Sequence, residues 1–460
     1  MLLLALVAGG ASLLGARGAP ALEIYGSPRG VPGAGGCLRD PRQQPGEETA
    51  CPGAAQGLAG AQAVAVSGDG ANVYVAGEGA VVALARDPAS GALRPALTPP
   101  SRACVTDGAA PCTITDAAVN GADALAVSGD GRFVYVGAAN AASVSAFARA
   151  PHGELVPLPE DLDGYFGCVS GKPLAGTRPA RCGGRASPLA GVAALAISPD
   201  GRNLYAVSYG LAPGEDSIVT LRRDPGNGGL LPLPGTHGCL QSLPGDGCRA
   251  LAGLEGASAI TISANGRFVY VASQVSGAVR GFLRDRATGA LTPLYGRGGC
   301  VASGEHAFGD VPCATDVPQL AGARSIALSP DGRELYVAAF DPGAVVTLTR
   351  DPATGRLGVA PPSCLQAQPD AACPTGLPSL RGAAALALAP DGTVLYVISE
   401  GANSLVELLR DPIDGELTPV DGTPATVPTL SGPIALALSS GGGSVYVASP
   451  FDDGVTALTR

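Results

Sequence analysis

Apolar and polar positions alternate along this chain in a pattern that occurs seven times. In each occurrence a short run of Ala, Val, Ile and Leu leads into a tight turn, and a second apolar run such as Phe-Val-Tyr-Val follows it. Typical turn sequences are Ser-Gly-Asp-Gly and Ser-Pro-Asp-Gly. The turns begin at Ser67, Ser128, Ser198, Ser263, Ser329, Ala389 and Ser439. Short apolar runs that are separated by turn residues predict β-strands.

Two residue types keep a fixed distance from every turn origin. A tyrosine follows each origin by seven residues, at Tyr74, Tyr135, Tyr205, Tyr270, Tyr336, Tyr396 and Tyr446. A glycine precedes each origin by seven residues, at Gly60, Gly121, Gly191, Gly256, Gly322, Gly382 and Gly432. This invariant spacing predicts one structural unit that is copied seven times.

Each unit predicts four strands. The first is almost entirely aliphatic, as expected for a strand that is buried on both faces. The second contains the tyrosine. The third ends in an arginine, at Arg86, Arg149, Arg223, Arg284, Arg350, Arg410 and Arg460. An Asp-Pro-x-x-Gly turn joins the third strand to the fourth in several units, because Pro presets φ and Gly accepts a positive φ.

Units of four antiparallel strands that recur every 50 to 70 residues are typical of propeller blades. We therefore predict an all-β fold over residues 22–460, a seven-bladed β-propeller of four-stranded antiparallel blades. The sequence of the last unit ends with its third strand. We predict that an N-terminal strand at residues 22–25 takes the fourth place and closes the ring, which removes an exposed sheet edge.

The N-terminus predicts export. Residues 1–21 contain an apolar run followed by Ala19-Pro20-Ala21, which together are typical of a signal peptide. No basic residue precedes the apolar run. No later apolar run is long enough to span a membrane.

Twelve cysteines fall into six sequential pairs, each between the last strand of one unit and the first strand of the next. The pairs are Cys37/Cys51, Cys104/Cys112, Cys168/Cys182, Cys239/Cys248, Cys300/Cys313 and Cys364/Cys373. An even number of local pairs in an exported chain predicts disulfides. Metal binding is not expected, because close C-x-x-C pairs are absent. The predicted signal peptide and disulfides together predict that the protein is secreted or lies in the periplasm or at the cell surface.

The net charge is −10, with Lys172 as the single lysine beside 28 arginines. An acidic chain without a basic run is not expected to bind nucleic acid or an anionic membrane. No nucleotide-binding phosphate loop occurs, and no cofactor is expected. No G-x-S-x-G element, which would carry a serine nucleophile, occurs either. We favour a monomer.

The repeat Ser-Pro-Asp-Gly-Arg-x-Leu-Tyr-Val-Ala, followed by Arg-Asp-Pro-x-Thr-Gly-x-Leu, resembles the YVTN-type repeats of the lactonase-like seven-bladed propellers. That family includes bacterial enzymes of the 6-phosphogluconolactonase type. The resemblance covers residues 22–460 and implies the fold. It is weaker evidence for activity, because non-enzymatic surface proteins share these repeats.

The resemblance implies His, Arg and acidic residues on the channel face, at positions five residues before each turn origin. Here these positions are Gln62, Asp123, Ala193, Ser258, Arg324, Ala384 and Ile434, and none is histidine. A lactonase needs a general base and an electrophile at one carbonyl, so we predict no catalytic residues. The polar members Gln62, Asp123, Ser258 and Arg324 predict a small ligand-binding site at the channel mouth. The alternative is that these side chains only hold water or pair with each other.

Three functions remain open. The preferred one is an exported binding or scaffold module whose disulfide-braced loops meet a protein or glycan partner. The first alternative is a lactonase-like hydrolase with a diverged site. The second is a structural cell-surface part without a discrete ligand.

Overall fold

The computed structural model describes residues 29–41, 51–108, 110–172, 182–210, 215–245, 247–296, 298–304, 307–308, 311–313, 317–420 and 430–460. Seven β-sheets stand in a ring, as predicted. The innermost strand of each sheet contacts that of the next, and the seventh contacts the first. The described residues contain no α-helix. The predicted signal peptide at residues 1–21 lies outside the described residues.

Three strands of each blade form a regular antiparallel meander. The inner strands are Ala63–Val66, Ala122–Val127, Val192–Ile197, Ala257–Ile262, Ala323–Leu328, Ala383–Leu388 and Ala435–Leu438. The second strands are Asn72–Gly77, Phe133–Ala138, Asn203–Ser208, Phe268–Ser273, Glu334–Ala339, Val394–Ser399 and Ser444–Ser449. The third strands are Ala80–Arg86, Ser143–Arg149, Ser217–Arg223, Ala278–Arg284, Ala344–Arg350, Ser404–Arg410 and Gly454–Thr459. Blades are numbered 1 to 7 in this order.

The outer strand is usually divided into two short segments that pair with opposite ends of the third strand. The first segments are Leu93–Pro95, Leu155–Pro157, Leu230–Pro232, Leu291–Pro293 and Leu417–Pro419 in blades 1, 2, 3, 4 and 6. The second segments are Cys104–Thr106, Cys168–Ser170, Cys239–Gln241 and Cys300–Ala302 in blades 1 to 4. Blade 5 has one continuous outer strand, Leu357–Gln366.

Four blades also carry a short strand that is parallel to the second outer segment. These strands are Gly53–Ala54, Ile114–Thr115, Gly184–Arg185 and Arg249–Ala250. A hairpin of Ala307–Phe308 and Val311–Pro312 lies in one connection, and the 3₁₀ turns are Ala34–Gly36, Pro100–Ala103, Ala117–Val119, Gly235–His237, Pro318–Leu320, Pro378–Leu380 and Pro450–Asp452. The prediction of strictly four-stranded antiparallel blades is therefore too simple, since the described sheets have four to six strands.

The N-terminal part of the chain closes the ring, as predicted. Arg29–Gly30 and Cys37–Arg39 both pair antiparallel with the C-terminal strand Gly454–Thr459. They take the places that the two outer segments have in the other blades. The predicted closing strand at residues 22–25 lies outside the described residues.

The hydrophobic core consists of one cluster at each of the seven interfaces between neighbouring blades. Each cluster contains the repeat tyrosine of one blade, and every one of these seven side chains is fully buried. The aliphatic second strand of the next blade packs against it. The tyrosine is invariant because it is the largest side chain in a space that recurs at every interface.

All six predicted disulfides are present: Cys37–Cys51, Cys104–Cys112, Cys168–Cys182, Cys239–Cys248, Cys300–Cys313 and Cys364–Cys373. Each first cysteine lies in an outer strand and each second cysteine in the connection that follows. Six disulfides are typical of a chain that folds in an oxidising compartment. Within the described part of the chain, no helix has the length and apolar character needed to cross a bilayer.

Candidate functional site

The seven inner strands surround a cavity of about 630 Å³ at one end of the central channel. We call the face where the inner strands begin the upper face. The outer strands end on this face, because they run antiparallel to the third strands. The cavity therefore opens between the disulfide-bearing connections. All seven positions that lie five residues before the turn origins line it: Gln62, Asp123, Ala193, Ser258, Arg324, Ala384 and Ile434.

A β-bulge places these side chains toward the channel in blades 2 to 6. In blade 2, Ala122 pairs with Ala138 and Ala124 pairs with Gly137, so Asp123 has no partner in the second strand. A bulge redirects the side chain of its extra residue and is frequent next to active sites. The recurring bulge thus explains why one sequence position provides the ring of side chains in five of the seven blades.

The repeat glycine stands two residues before each ring position and explains how the chain enters the bulge. All seven glycines have a positive φ, from 57° at Gly60 to 72° at Gly256. At Gly191 a Cβ atom would also lie 1.9 Å from the carbonyl oxygen of Tyr209. A side chain is therefore excluded both by the backbone conformation and by the closeness of the neighbouring hairpin.

Asp123 is a half-buried carboxyl group in this cavity. Burial raises the pKa of Asp123 to about 6, and the carboxylate of Glu78 on the neighbouring blade adds to the increase. No hydrogen bond or ion pair among the described residues involves its side chain. A carboxyl group with a pKa near neutrality and no fixed partner has the properties of a general base.

Arg324 lies across the channel from Asp123, on blade 5. Its Nη1 atom donates to Oε2 of Glu400 at 2.7 Å, and both side chains are 28% exposed. The guanidinium carbon lies 5.1 Å from the ring centre of Phe340. Two partners therefore fix the orientation of the guanidinium group, which has further N–H donors for a ligand in the cavity.

Ser258 and Gln62 complete the polar part of the ring. The hydroxyl group of Ser258 lies within 3.2–3.4 Å of the carbonyl oxygens of Ala323, Arg324 and Ala272. It thereby links blade 4 to the backbone that carries Arg324. The backbone N–H of Gln62 donates to Ala76 at 2.8 Å, and its side chain is half-buried at the cavity wall.

Sequence reasoning missed a second ring of side chains, eleven residues after each turn origin. This position follows the second strand and faces the upper end of the channel. It includes Glu78 and Glu400, which act on Asp123 and Arg324, together with Tyr209, Gln274 and Phe340. Counting from the turn origins, which identified the repeat tyrosine, would also have identified this ring.

The described residues contain no cluster of three or more His, Cys, Asp or Glu side chains that could hold a metal ion. Among the described residues, the cavity is lined by one carboxyl group, one oriented guanidinium group, and neutral polar and apolar side chains. The carboxylates of Glu78 and Glu400 lie beside Asp123 and Arg324.

The chain belongs to the lactonase family of seven-bladed β-propellers, because a profile described as "Lactonase, 7-bladed beta-propeller" matches residues 174–300 and 304–460. No curated protein sequence matches the chain significantly.

Three solved structures show the extent of the structural similarity. The periplasmic gluconolactonase PpgL of Pseudomonas aeruginosa is 21% identical over 79% of this chain and 86% of that chain, with a TM-score of 0.51. A Bacteroides fragilis protein assigned as a candidate 6-phosphogluconolactonase is 21% identical over 81% and 85%, with a TM-score of 0.52. Hydrazine synthase of Kuenenia stuttgartiensis is 16% identical over 88% and 96%, with a TM-score of 0.52. These identities show a common fold, and one fold can serve unrelated chemistry.

Membership of the lactonase family corrects the preferred functional prediction. A binding or scaffold module was expected because none of the ring positions is histidine. The family match supports the hydrolase alternative instead. The predicted protein or glycan partner remains a prediction.

Proposed function

We propose that this protein hydrolyses lactones in the upper-face cavity, with Asp123 as the general base and Arg324 as the electrophilic group. The arrangement of these two residues carries the proposal. They occupy equivalent bulged positions on blades 2 and 5 of one cavity. One is a carboxyl group without a fixed partner, and the other is an oriented cation.

The reaction needs three events at one carbonyl group. Ionised Asp123 accepts a proton from a water molecule while the water oxygen attacks the carbonyl carbon. The resulting oxyanion accepts hydrogen bonds from Arg324. The C–O bond of the ring then breaks, the departing ring oxygen takes the proton from Asp123, and the product is the open-chain hydroxy acid. General acid–base catalysis of this kind contributes about 10²–10⁴-fold.

Arg324 suits the electrophilic role because its orientation is set before substrate arrives. The ion pair with Glu400 and the ring of Phe340 hold the guanidinium group in place. Prealigned donors stabilise a developing oxyanion without reorganisation during the reaction. Ser258 supports the backbone of Arg324 and is a positioning residue.

An extracytoplasmic location is part of the proposal. Six disulfides support it, and so does the similarity to a gluconolactonase that is described as periplasmic. Disulfides would hold the connections around the cavity in one shape. The predicted signal peptide supports the same location.

Steady-state hydrolysis of a panel of five- and six-membered lactones tests the proposal. The variants Asp123→Asn and Arg324→Gln should each lower kcat/KM by about 10²-fold or more. Glu416→Gln and Arg286→Gln are matched controls, since these exposed side chains lie outside the cavity, and they should retain full activity. Equal activity of wild type and Asp123→Asn on every hydrolysed lactone would refute the assignment of the base.

A further inference from the structure

We propose that the substrate is an uncharged lactone with an alkyl or aryl substituent, which the apolar wall and rim of the cavity bind. This inference rests on the proposed lactone hydrolysis and specifies its substrate class. It makes a sugar lactone, with or without phosphate, a poor substrate.

The charges around the cavity do not favour an anionic substrate. Among the described residues that line it, Arg324 is the one cation, and Glu400 already pairs with it. Asp123 and the nearby Glu78 contribute negative charge at pH values above the pKa of Asp123. A phosphate group would bring about two further negative charges. It would have to compete with Glu400 for a single guanidinium group.

A large part of the cavity wall is hydrocarbon. Val64, Leu125, Leu195, Leu386, Ile434 and Leu436 line it together with a number of alanines. A polyhydroxylated ring that entered the cavity would place some of its hydroxyl groups against this hydrocarbon and lose their hydrogen bonds to water, which is unfavourable. An alkyl or aryl group gains free energy from the same surface.

The rim of the cavity continues this apolar surface. Tyr209 lines the cavity and is 38% exposed. Val275 is 66% exposed and follows Gln274, which also lines the cavity. The ring of Phe451, which is 74% exposed, packs against Gly432 where the chain enters the inner strand of blade 7.

These three large apolar residues all follow second strands, so they lie at the upper face. A substituent that projects from a lactone ring in the cavity toward this face would meet Tyr209, which lines the cavity.

A series of δ-lactones with one common ring tests the inference. We would compare kcat/KM for δ-valerolactone, δ-octalactone, δ-decalactone, glucono-δ-lactone and 6-phosphoglucono-δ-lactone. Each methylene group that becomes buried should raise kcat/KM by about fourfold, and both sugar lactones should react at least about tenfold more slowly than δ-decalactone. Tyr209→Ala should lower the ratio of δ-decalactone to δ-valerolactone. The control Tyr295→Ala, at an exposed tyrosine that does not line the cavity, should leave that ratio unchanged.

The outcomes separate the inference from the proposed function. Preference for either sugar lactone over the alkyl lactones would overturn the inference and leave lactone hydrolysis standing. If the ratio of kcat/KM for δ-decalactone to that for δ-valerolactone were equal in Tyr209→Ala and wild type, the rim would not bind the alkyl substituent. If no lactone were hydrolysed, the proposed function would fail, and the substrate class would fail with it.

Discussion

The Nε atom of Arg86 donates a hydrogen bond to the hydroxyl oxygen of Tyr446 at 2.6 Å, although 360 residues separate the two. This contact joins the first blade to the seventh. The tyrosine hydroxyl in turn donates to the carbonyl oxygen of Gly91 at 2.9 Å. The same arginine-to-tyrosine contact occurs at four further interfaces, in the pairs Arg223–Tyr135, Arg284–Tyr205, Arg350–Tyr270 and Arg410–Tyr336. The invariant register of the repeat therefore encodes a connection between blades.

Tyr446→Phe should lower the free energy of unfolding by about 1–3 kcal/mol, because the half-buried Arg86 and the buried carbonyl group of Gly91 each lose a partner. Guanidinium denaturation followed by circular dichroism measures this. Tyr396→Phe is a comparison at the equivalent position, where the hydroxyl group lies beside Glu407 and accepts no hydrogen bond from an arginine among the described residues. It should change stability less than Tyr446→Phe. Equal losses for the two variants would contradict the role of the arginine contact.

The disulfide Cys37–Cys51 should stabilise the closure of the ring as well as the loop between its two cysteines. Cys37 lies in the segment that pairs with the C-terminal strand. The double variant Cys37→Ser/Cys51→Ser should lose about 2–3 kcal/mol from the loop itself, and further stability from the weakened closure. Cys104→Ser/Cys112→Ser, which removes a disulfide inside blade 1, is the comparison. A smaller loss for the first variant than for the second in urea denaturation would argue against this role.

Glu407 should make stability depend on pH. Its side chain is fully buried opposite Tyr396 in the sheet, and burial raises the pKa of Glu407 above its ordinary value of 4.5. The native state therefore binds the proton more tightly than the unfolded chain. The stabilising effect of that proton is complete below the unfolded pKa and is lost as pH rises through the native pKa.

Glu407→Gln should remove this part of the pH dependence, so the variant should gain stability relative to wild type as the pH rises above 4.5, the ordinary pKa of the group. Urea unfolding at several pH values measures the difference. Glu416→Gln, at an exposed position, should follow the wild-type curve. A constant difference between Glu407→Gln and wild type over that range would show that Glu407 does not titrate there.

Much of the fold could be predicted from the sequence because each local signal repeats seven times. The tyrosine and glycine positions defined the blades, and the cysteine spacing defined the disulfides. The pairing of Arg29–Gly30 with the C-terminal strand was not predicted. A two-residue pairing leaves almost no pattern in the sequence, because so short a segment has no alternation of apolar and polar residues.

The ring of cavity residues could be located from the sequence, but its chemistry could not. A bulge changes the direction of the Asp123 side chain without changing the number of residues between Asp123 and the turn. The burial that raises the pKa of Asp123 depends on neighbouring blades. The contact between Arg324 and Glu400 spans 76 residues. The absence of histidine from the ring therefore led to the wrong expectation for function, since an environment can give a carboxyl group a pKa near neutrality.

The dependence of kcat/KM on pH, corrected for spontaneous lactone hydrolysis, tests the central claim most directly. The base must be ionised, so kcat/KM for wild type should rise with pH through an apparent pKa of about 6. Glu78→Gln should move this rise to lower pH, because a negative charge near Asp123 is removed. Asp123→Asn should abolish the rise and lower kcat/KM by about 10²-fold or more. A rise through the same pKa in Asp123→Asn, with wild-type rates, would show that another group is the base.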